Sequence, residues 1–447
     1  MPSATTVEEP CETPSPSLAT SPSTEYLREE STQEKPFYGW VMLPVAMLIL
    51  VASSPGQTFG FAFFNPHFQQ ALSLTSTQLS TAYLFATLLA AVPLSYVGSL
   101  TDRFGLRKSL FATVIALSLG CMLLAATSNI AMLCLSFFVM RLLGPGMMVL
   151  LANNTLAAWF DKRLGKASGA MQLSMAGAVA LIPAGMLLLI NSFGWRQAYV
   201  IIGCGLALTM LPVLWFFYRE SPEELGQERD GIVPGPQVLP AVPAGSVAEN
   251  STTRGSSDFT LAEAMRTPAY WVLIAATSAW AMIGTGIVFH MEALFATRGL
   301  AETTMQLAPT ALAIGMAAMQ LCGGVLADRV AIRFLVMLAI GGIGSSSLAV
   351  MAAPGAKTLL AAFTLYGLSQ GLMSVIAGTA WARFFGRAHL GKIRGTALTA
   401  AVAASAVGPL ALGLSVDYAG GFEAGLIGFA VVAGFVATSG WWARKPD

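Results

Sequence analysis

Apolar residues along this chain come in long unbroken stretches, not at the spacing of an amphipathic helix or the alternation of a half-buried strand. Twelve such runs stand out, near 40–63, 77–100, 109–127, 130–152, 167–190, 197–218, 269–291, 304–327, 333–353, 357–380, 393–416 and 423–443. Each is about 20 residues long, enough at roughly 1.5 Å per residue to cross a hydrocarbon core of about 30 Å. Each is therefore predicted to be a transmembrane helix. The polar breaks are short except over 219–267, where Pro, Gly, Ser and Thr dominate and a flexible linker is expected. The expected fold class is an all-α membrane protein of twelve transmembrane helices. Its six-helix bundles span 37–218 and 268–443, with a disordered cytoplasmic tail at 1–36 and a short cytoplasmic C-terminus at 444–447.

Composition agrees with the pattern. Only 11% of the residues are charged, against about 25% in a soluble domain, too few to cover a water-facing surface. The basic residues are also lopsided. Twenty fall in breaks on the side of the termini, among them Arg103, Arg107, Lys108, Lys162, Arg163, Lys166, Arg383, Arg387, Lys392 and Arg394. Three fall on the other side, Arg196, Arg298 and Lys357, and one, Arg141, within a span. Basic loops are retained in the cytoplasm, so both termini and the linker are expected there, in the plasma (inner) membrane. A net charge of +1 without a basic stripe argues against nucleic-acid binding. Cys121, Cys134, Cys204 and Cys322 lie in apolar runs and Cys11 in the tail; with no C-x-x-C pair, neither a metal nor any cofactor is expected.

The two halves repeat one another. Gly98, Leu100, Asp102, Arg103 and Arg107 recur as Gly324, Leu326, Asp328, Arg329 and Arg333, an offset of 226. The same offset pairs Leu164-Gly165-Lys166 with Leu390-Gly391-Lys392, Pro183 with Pro409, and Gly194 with Gly420. Constant spacing over four patches implies two copies of one six-helix unit, an arrangement suited to alternating access. On these residues the chain resembles the major facilitator superfamily from Phe37 to Trp442. The Gly98–Lys108 loop signature, Trp159-Phe160, Gly194-Trp195-Arg196 and Ser221-Pro222-Glu223 are all similar to family passages. The opening Phe37-Tyr38-Gly39-Trp40 resembles the bacterial branch related to monocarboxylate and oxalate/formate transporters. The resemblance implies that Asp102, Arg103, Arg107, Asp328 and Arg329 act as gating residues, latching the cytoplasmic ends of the bundles. The plainer reading of the basic ones is topogenic charge.

A charge inside a span is costly and commonly functional. Arg141 lies roughly 16 Å into the fourth span, near mid-membrane, beside Gly144-Pro145-Gly146, which loosens that helix. It is expected to bind an anionic solute or a coupling carboxylate, or else to brace helix carbonyls. Tyr366, Gln370 and Ser374 share one face of the tenth span. Gln57 and His290 are further substrate-binding candidates, because the resemblance implies a cavity lined by spans 1, 4, 7 and 10. His290 could carry a proton or serve as interhelical glue. No acidic residue sits at mid-depth, the nearest being Glu292 and Asp417. Unlike the carriers it resembles, the chain has no basic residue between Thr303 and Ala327 in the eighth span.

No phosphate-binding loop or catalytic constellation is present in the sequence, so neither an ATP-driven pump nor an enzyme is expected. The expected function is a secondary active or facilitative transporter working by alternating access. Its expected partners are a small organic anion such as a monocarboxylate, with or without a coupled proton, and the lipid bilayer; the protein is expected to be a monomer. The alternatives are an efflux transporter of drugs or neutral metabolites, and a non-transporting sensor on the same scaffold.

Overall fold

The computed structural model describes residues 36–161, 163–231, 259–297, 299, 302–386 and 389–446, leaving aside a few side chains within helices. The tail before residue 36, most of the linker (232–258) and the side chains of Asp102 and Asp328 lie outside the described residues, as do Lys162, Arg298 and Arg387. Twelve long helices are described. In the first half they are α1 (Gly39–Ala62), α2 (Ser76–Phe104), α3 (Leu106–Ala125), α4 (Ile130–Trp159), α5 (Leu164–Phe193) and α6 (Trp195–Phe216). In the second half they are α7 (Pro268–Phe289), α8 (Glu302–Arg329), α9 (Ile332–Ala352), α10 (Ala356–Phe385), α11 (Leu390–Ala419) and α12 (Glu423–Trp442). Eleven contain a window long and apolar enough to cross a membrane, and α2 reaches 29 residues.

Local chemistry fixes where helices begin. Thr75 caps α2 in a reciprocal box with Gln78, and the side chains of Asn129 and Thr267 cap α4 and α7. The repeat in the sequence reappears as geometry. Adding 226 to the bounds of α4 and α5 gives 356–385 and 390–419, the bounds of α10 and α11. Gly194 and Gly420, the paired turns after α5 and α11, both have positive φ, 79° and 77°. The interface between the halves repeats too, because α2 packs on α11 and α5 on α8. Large apolar side chains such as Leu181, Leu208 and Phe435 point outward from the bundles, as a lipid-facing surface requires.

Helices run alternately between a basic end, carrying the termini and most loop cations, and a far end. At the basic end Gly105, with φ 84°, makes the tight turn from α2 to α3, and the next N–H, of Leu106, donates to Glu220 Oε1 at 2.7 Å. Both ends of the linker are folded where they are described. Tyr38 N–H donates to Gln227, and the buried Asp230 carboxylate accepts from the Asp161 and Arg163 N–H groups in the α4–α5 loop.

Two helices are broken at membrane depth. α1 passes through a short 3₁₀ turn at Ser54–Gly56 and an extended Gln57 before resuming at Thr58. α4 widens to π geometry over Leu142–Met148, around Gly144-Pro145-Gly146. The breaks lie against each other. A Cβ on Gly56 would collide with the Met140 carbonyl oxygen, and one on Gly144 would sit 2.9 Å from the Gly56 Cα. Only glycine allows this backbone-to-backbone contact.

Gly56→Ala and Gly144→Ala are each expected to destabilise the bundle by about 1–3 kcal/mol through overpacking. Gly185→Ala, at a position where a Cβ meets nothing within 4 Å, should be neutral or slightly stabilising. Thermal unfolding of the three variants in detergent checks the contrast.

Candidate functional site

The broken part of α1 opens onto a cavity of about 250 Å³ between the halves. α1 contributes Gln57, Thr58 and Phe59; α7 contributes Trp280, Gly284 and Thr285; α10 contributes Tyr366 and Gln370, and the remaining wall, from α5, α8, further residues of α7 and Met291 just beyond it, is apolar. Among the described residues, no charged side chain is part of the lining.

Polar groups on α7 and α10 form a directional chain. Trp280 Nε1 donates to Gln370 Oε1, and Gln370 Nε2 donates to the Tyr366 hydroxyl. With its oxygen accepting from Gln370, Tyr366 keeps its own proton to give, so the chain ends in a donor. Gly284 permits the approach, since a Cβ there would lie 2.7 Å from Gln370 Nε2 and 2.9 Å from the Tyr366 hydroxyl. On the α1 side, Gln57 Nε2 donates to Ser53 Oγ at 3.0 Å, leaving its carbonyl and second N–H for the cavity.

Arg141 stands one layer behind the wall. Its guanidinium carbon lies 5.3 Å from the Tyr83 ring centroid, and the Tyr83 hydroxyl is 3.0 Å from Thr58 Oγ1, a lining group. Arg141 is half-buried, and no carboxylate pairs with it among the described residues. The structure thus gathers Gln57, Tyr366 and Gln370 at one cavity and sets Arg141 beside it. Ser374, one turn further along α10, is half-buried and outside the lining. His290 is buried elsewhere: its Nε2 is 3.0 Å from the Pro409 carbonyl oxygen and 3.1 Å from Ser80 Oγ. A carbonyl only accepts, so Nε2 carries a hydrogen and the ring ties α7 to α11 and α2.

That tie belongs to a closed far end. Asn65 donates to the Phe289 carbonyl at 2.7 Å and Thr77 N–H to Asp417 at 2.7 Å. Tyr83 and Phe289 meet across the same seam with ring centroids 4.6 Å apart and planes tilted by 53°. Of the gating candidates, Arg107 binds within its own half, donating to the Trp215 carbonyl over the Trp215 ring. Arg103 is exposed beside Phe104, and Arg329 lines a cleft at the basic end with Arg333, Arg383, Arg444 and Lys445. Thr58, Tyr83 and Trp280 were not singled out from sequence. Trp280 and Tyr83 are the two that an unexplained polar edge in mid-span could have flagged.

A solute-sized cavity between two repeated helical bundles, sealed at one end, defines a membrane transporter of the alternating-access kind. Residues 47–301 match the family model of the Major Facilitator Superfamily, and the chain belongs to that family. Over 356 residues it is 24% identical to the Uncharacterized MFS-type transporter YhjX of Escherichia coli (strain K12), covering 77% of this chain and 80% of that protein. Over 351 residues it is 28% identical to Monocarboxylate transporter 11 of Homo sapiens, covering 75% of this chain and 68% of that one. Among solved structures it is similar to a bacterial homolog of the human lysosomal transporter Spinster in inward-facing unoccupied and occupied conformations. In both comparisons the TM-score is 0.67 at 16% identity, over 92% of this chain and 97% of that one.

Gln370→Leu is expected to cost about 1–3 kcal/mol, because it strands the Trp280 N–H and the Tyr366 hydroxyl without partners. A melting temperature in detergent several degrees below wild type, with an unchanged gel-filtration profile, is the expected reading.

Proposed function

We propose that this chain carries a small organic anion of the monocarboxylate class across the plasma (inner) membrane, as a monomer with its basic end in the cytoplasm. The observation that carries this reading is Arg141, a guanidinium at membrane depth beside the cavity and unmatched by a carboxylate among the described residues. A half-buried cation at membrane depth with no counter-ion among the described residues favours an anionic cargo. The Trp280–Gln370–Tyr366 chain supports it from the opposite wall, since it ends in a donor and a carboxylate offers only acceptors. The name of the human relative points the same way. A cavity of about 250 Å³ suits a metabolite of a few carbons better than a drug, whose pockets run to roughly 300–1,000 Å³. Export of a small neutral metabolite is the second reading, favoured by the absence of charge from the lining itself.

Gating at the basic end is part of the proposal. Asp102 and Asp328 close the repeated loop signatures at the ends of α2 and α8, where their charges would hold the two bundles together while the far end is open. Asp102→Asn should leave membrane insertion intact and cut flux at least tenfold. Wild-type flux at equal expression would remove the gating role.

The cargo is tested on purified protein in liposomes with a panel of two- to five-carbon carboxylates and their amides. Accelerated flux of a carboxylate but not of its amide is expected. Arg141→Gln should abolish it by loss of affinity while the protein still folds, and Arg141→Lys should keep partial activity, because a point charge lacks the planar fork. Ligand stabilisation follows RT ln(1 + [L]/Kd), so melting curves taken with the transported carboxylate separate the roles. An Arg141→Gln protein that melts lower yet binds as tightly as wild type would make Arg141 a structural brace.

A further inference from the structure

Glu292 is an ionisable group that the cargo site does not use. It lies past the end of α7 in the short helical segment Met291–Ala296, next to Met291, which lines the central cavity, and three residues from Phe289, whose carbonyl receives Asn65 across the closed seam. Its Oε2 is buried and has no hydrogen-bond partner among the described residues.

Among the described residues, nothing charged on the neighbouring elements compensates it. Its own segment, Met291–Ala296, holds no other charge. On the adjoining end of α7, His290 is engaged by Pro409 and Ser80. On Asn65–Leu72, which packs against the segment, the titratable group is His67, whose pKa burial lowers from its ordinary value, disfavouring the charged form. α10 is met through Phe295 and Phe363, with ring centroids 5.3 Å apart, and its nearest cation by sequence, Lys357, is exposed. Asp417 of α11 is occupied by the Thr77 N–H. The side chains of Arg298 and Glu302 lie outside the described residues. Glu292 is half-buried, and the one of its oxygens that is buried has no donor; a carboxylate partly stripped of water in this way is penalised when ionised, and taking up a proton removes that cost.

We propose that Glu292 is the proton-carrying group of the transport cycle, protonated while the far end is closed and ionised once it opens. The proposal rests on the reading of the chain as an alternating-access transporter and is independent of what the cargo is. Opening the seam separates Met291–Ala296 from Asn65–Leu72 and admits water to the carboxyl. Its O–H bond then breaks heterolytically, the proton passes to water on the far side, and the electron pair stays on the carboxylate; closing reverses the step. Burial pushes the Glu292 pKa up to about 8 from an ordinary 4.5, so its proton affinity is higher in the closed form by a factor on the order of a thousand. The sign follows from linkage. Below pH ~4.5 both forms are protonated and closure is fully favoured; its advantage falls as pH rises and is exhausted once pH passes about 8.

The test needs no solute. Spin labels at Gln70→Cys and Tyr418→Cys, both exposed far-end positions on opposite halves, report the opening as a distance. The labels are placed in a full-length background with the five native cysteines replaced by alanine. Double electron–electron resonance in lipid nanodiscs from pH 5 to pH 9.5 should show a short distance at acid pH giving way to a long one as pH rises. Glu292→Gln, neutral at every pH, should stay closed throughout. Glu292→Asp should keep the transition with a displaced midpoint. A wild-type distance that ignores pH, or a Glu292→Gln protein that opens with the wild-type midpoint, would overturn the proposal. Should the Gln variant fail to fold, the Asp variant decides: an undisplaced midpoint overturns the proposal and a displaced one supports it. Either result leaves the carboxylate flux assay and its Arg141 variants untouched, so the two readings fail separately.

Discussion

Inside hydrocarbon a backbone N–H or C=O without a partner costs several kcal/mol, and this demand for internal satisfaction shapes everything else in the molecule. It makes every crossing a helix and confines irregular backbone to places where protein or a cavity supplies partners. α1 at Ser54–Gln57 and α4 at Leu142–Met148 are such places, and they lie against each other. The break in α1 also turns Gln57 and Thr58 toward the cavity, which a straight helix would have spread around its circumference. Local disorder in the hydrogen-bond ladder and the position of the candidate site thus have one cause.

The seal at the far end is assembled differently. Its bonds are single contacts from short side chains to carbonyls or helix-end N–H groups: Asn65 to Phe289, Thr77 to Asp417, and His290 between Pro409 and Ser80. Each is worth on the order of 1 kcal/mol net. A seam of a few such bonds can open within a transport cycle, where a continuous apolar interface of the same area would not.

How much of this was legible beforehand depends on the length scale of each signal. Unbroken apolar runs and the constant offset of 226 fixed the helices and their repeat, because crossing a bilayer leaves a mark about 20 residues long that no local context erases. Arg141 was legible because a charge in a span is rare and costly. Gln57, Tyr366 and Gln370 were legible through helical spacing and a neighbouring Pro-Gly. Tyr83, Thr58 and Trp280 were not, since aromatic and hydroxyl residues in a span are common and only three-dimensional neighbours reveal which of them meet. His290 and Ser374 shared the same sequence signals, yet the fold turned one into a bond between helices and left the other outside the lining. The folded ends of the linker were hidden for another reason: Asp230 acts through backbone N–H groups of a loop, which leave no trace in side-chain composition.

The repeat also sets up a comparison between two pseudo-equivalent joints. Gly56 of α1 corresponds by position to Met282 of α7, and Gly144 of α4 to Gln370 of α10. In the first half the joint is main chain against main chain, with no side chain between to adjust. In the second the same level is filled by Trp280, Gln370 and Tyr366, groups with rotatable bonds and exchangeable partners. One duplicated level is thus rigid in its first copy, where backbone meets backbone, and adjustable in its second, where side chains meet.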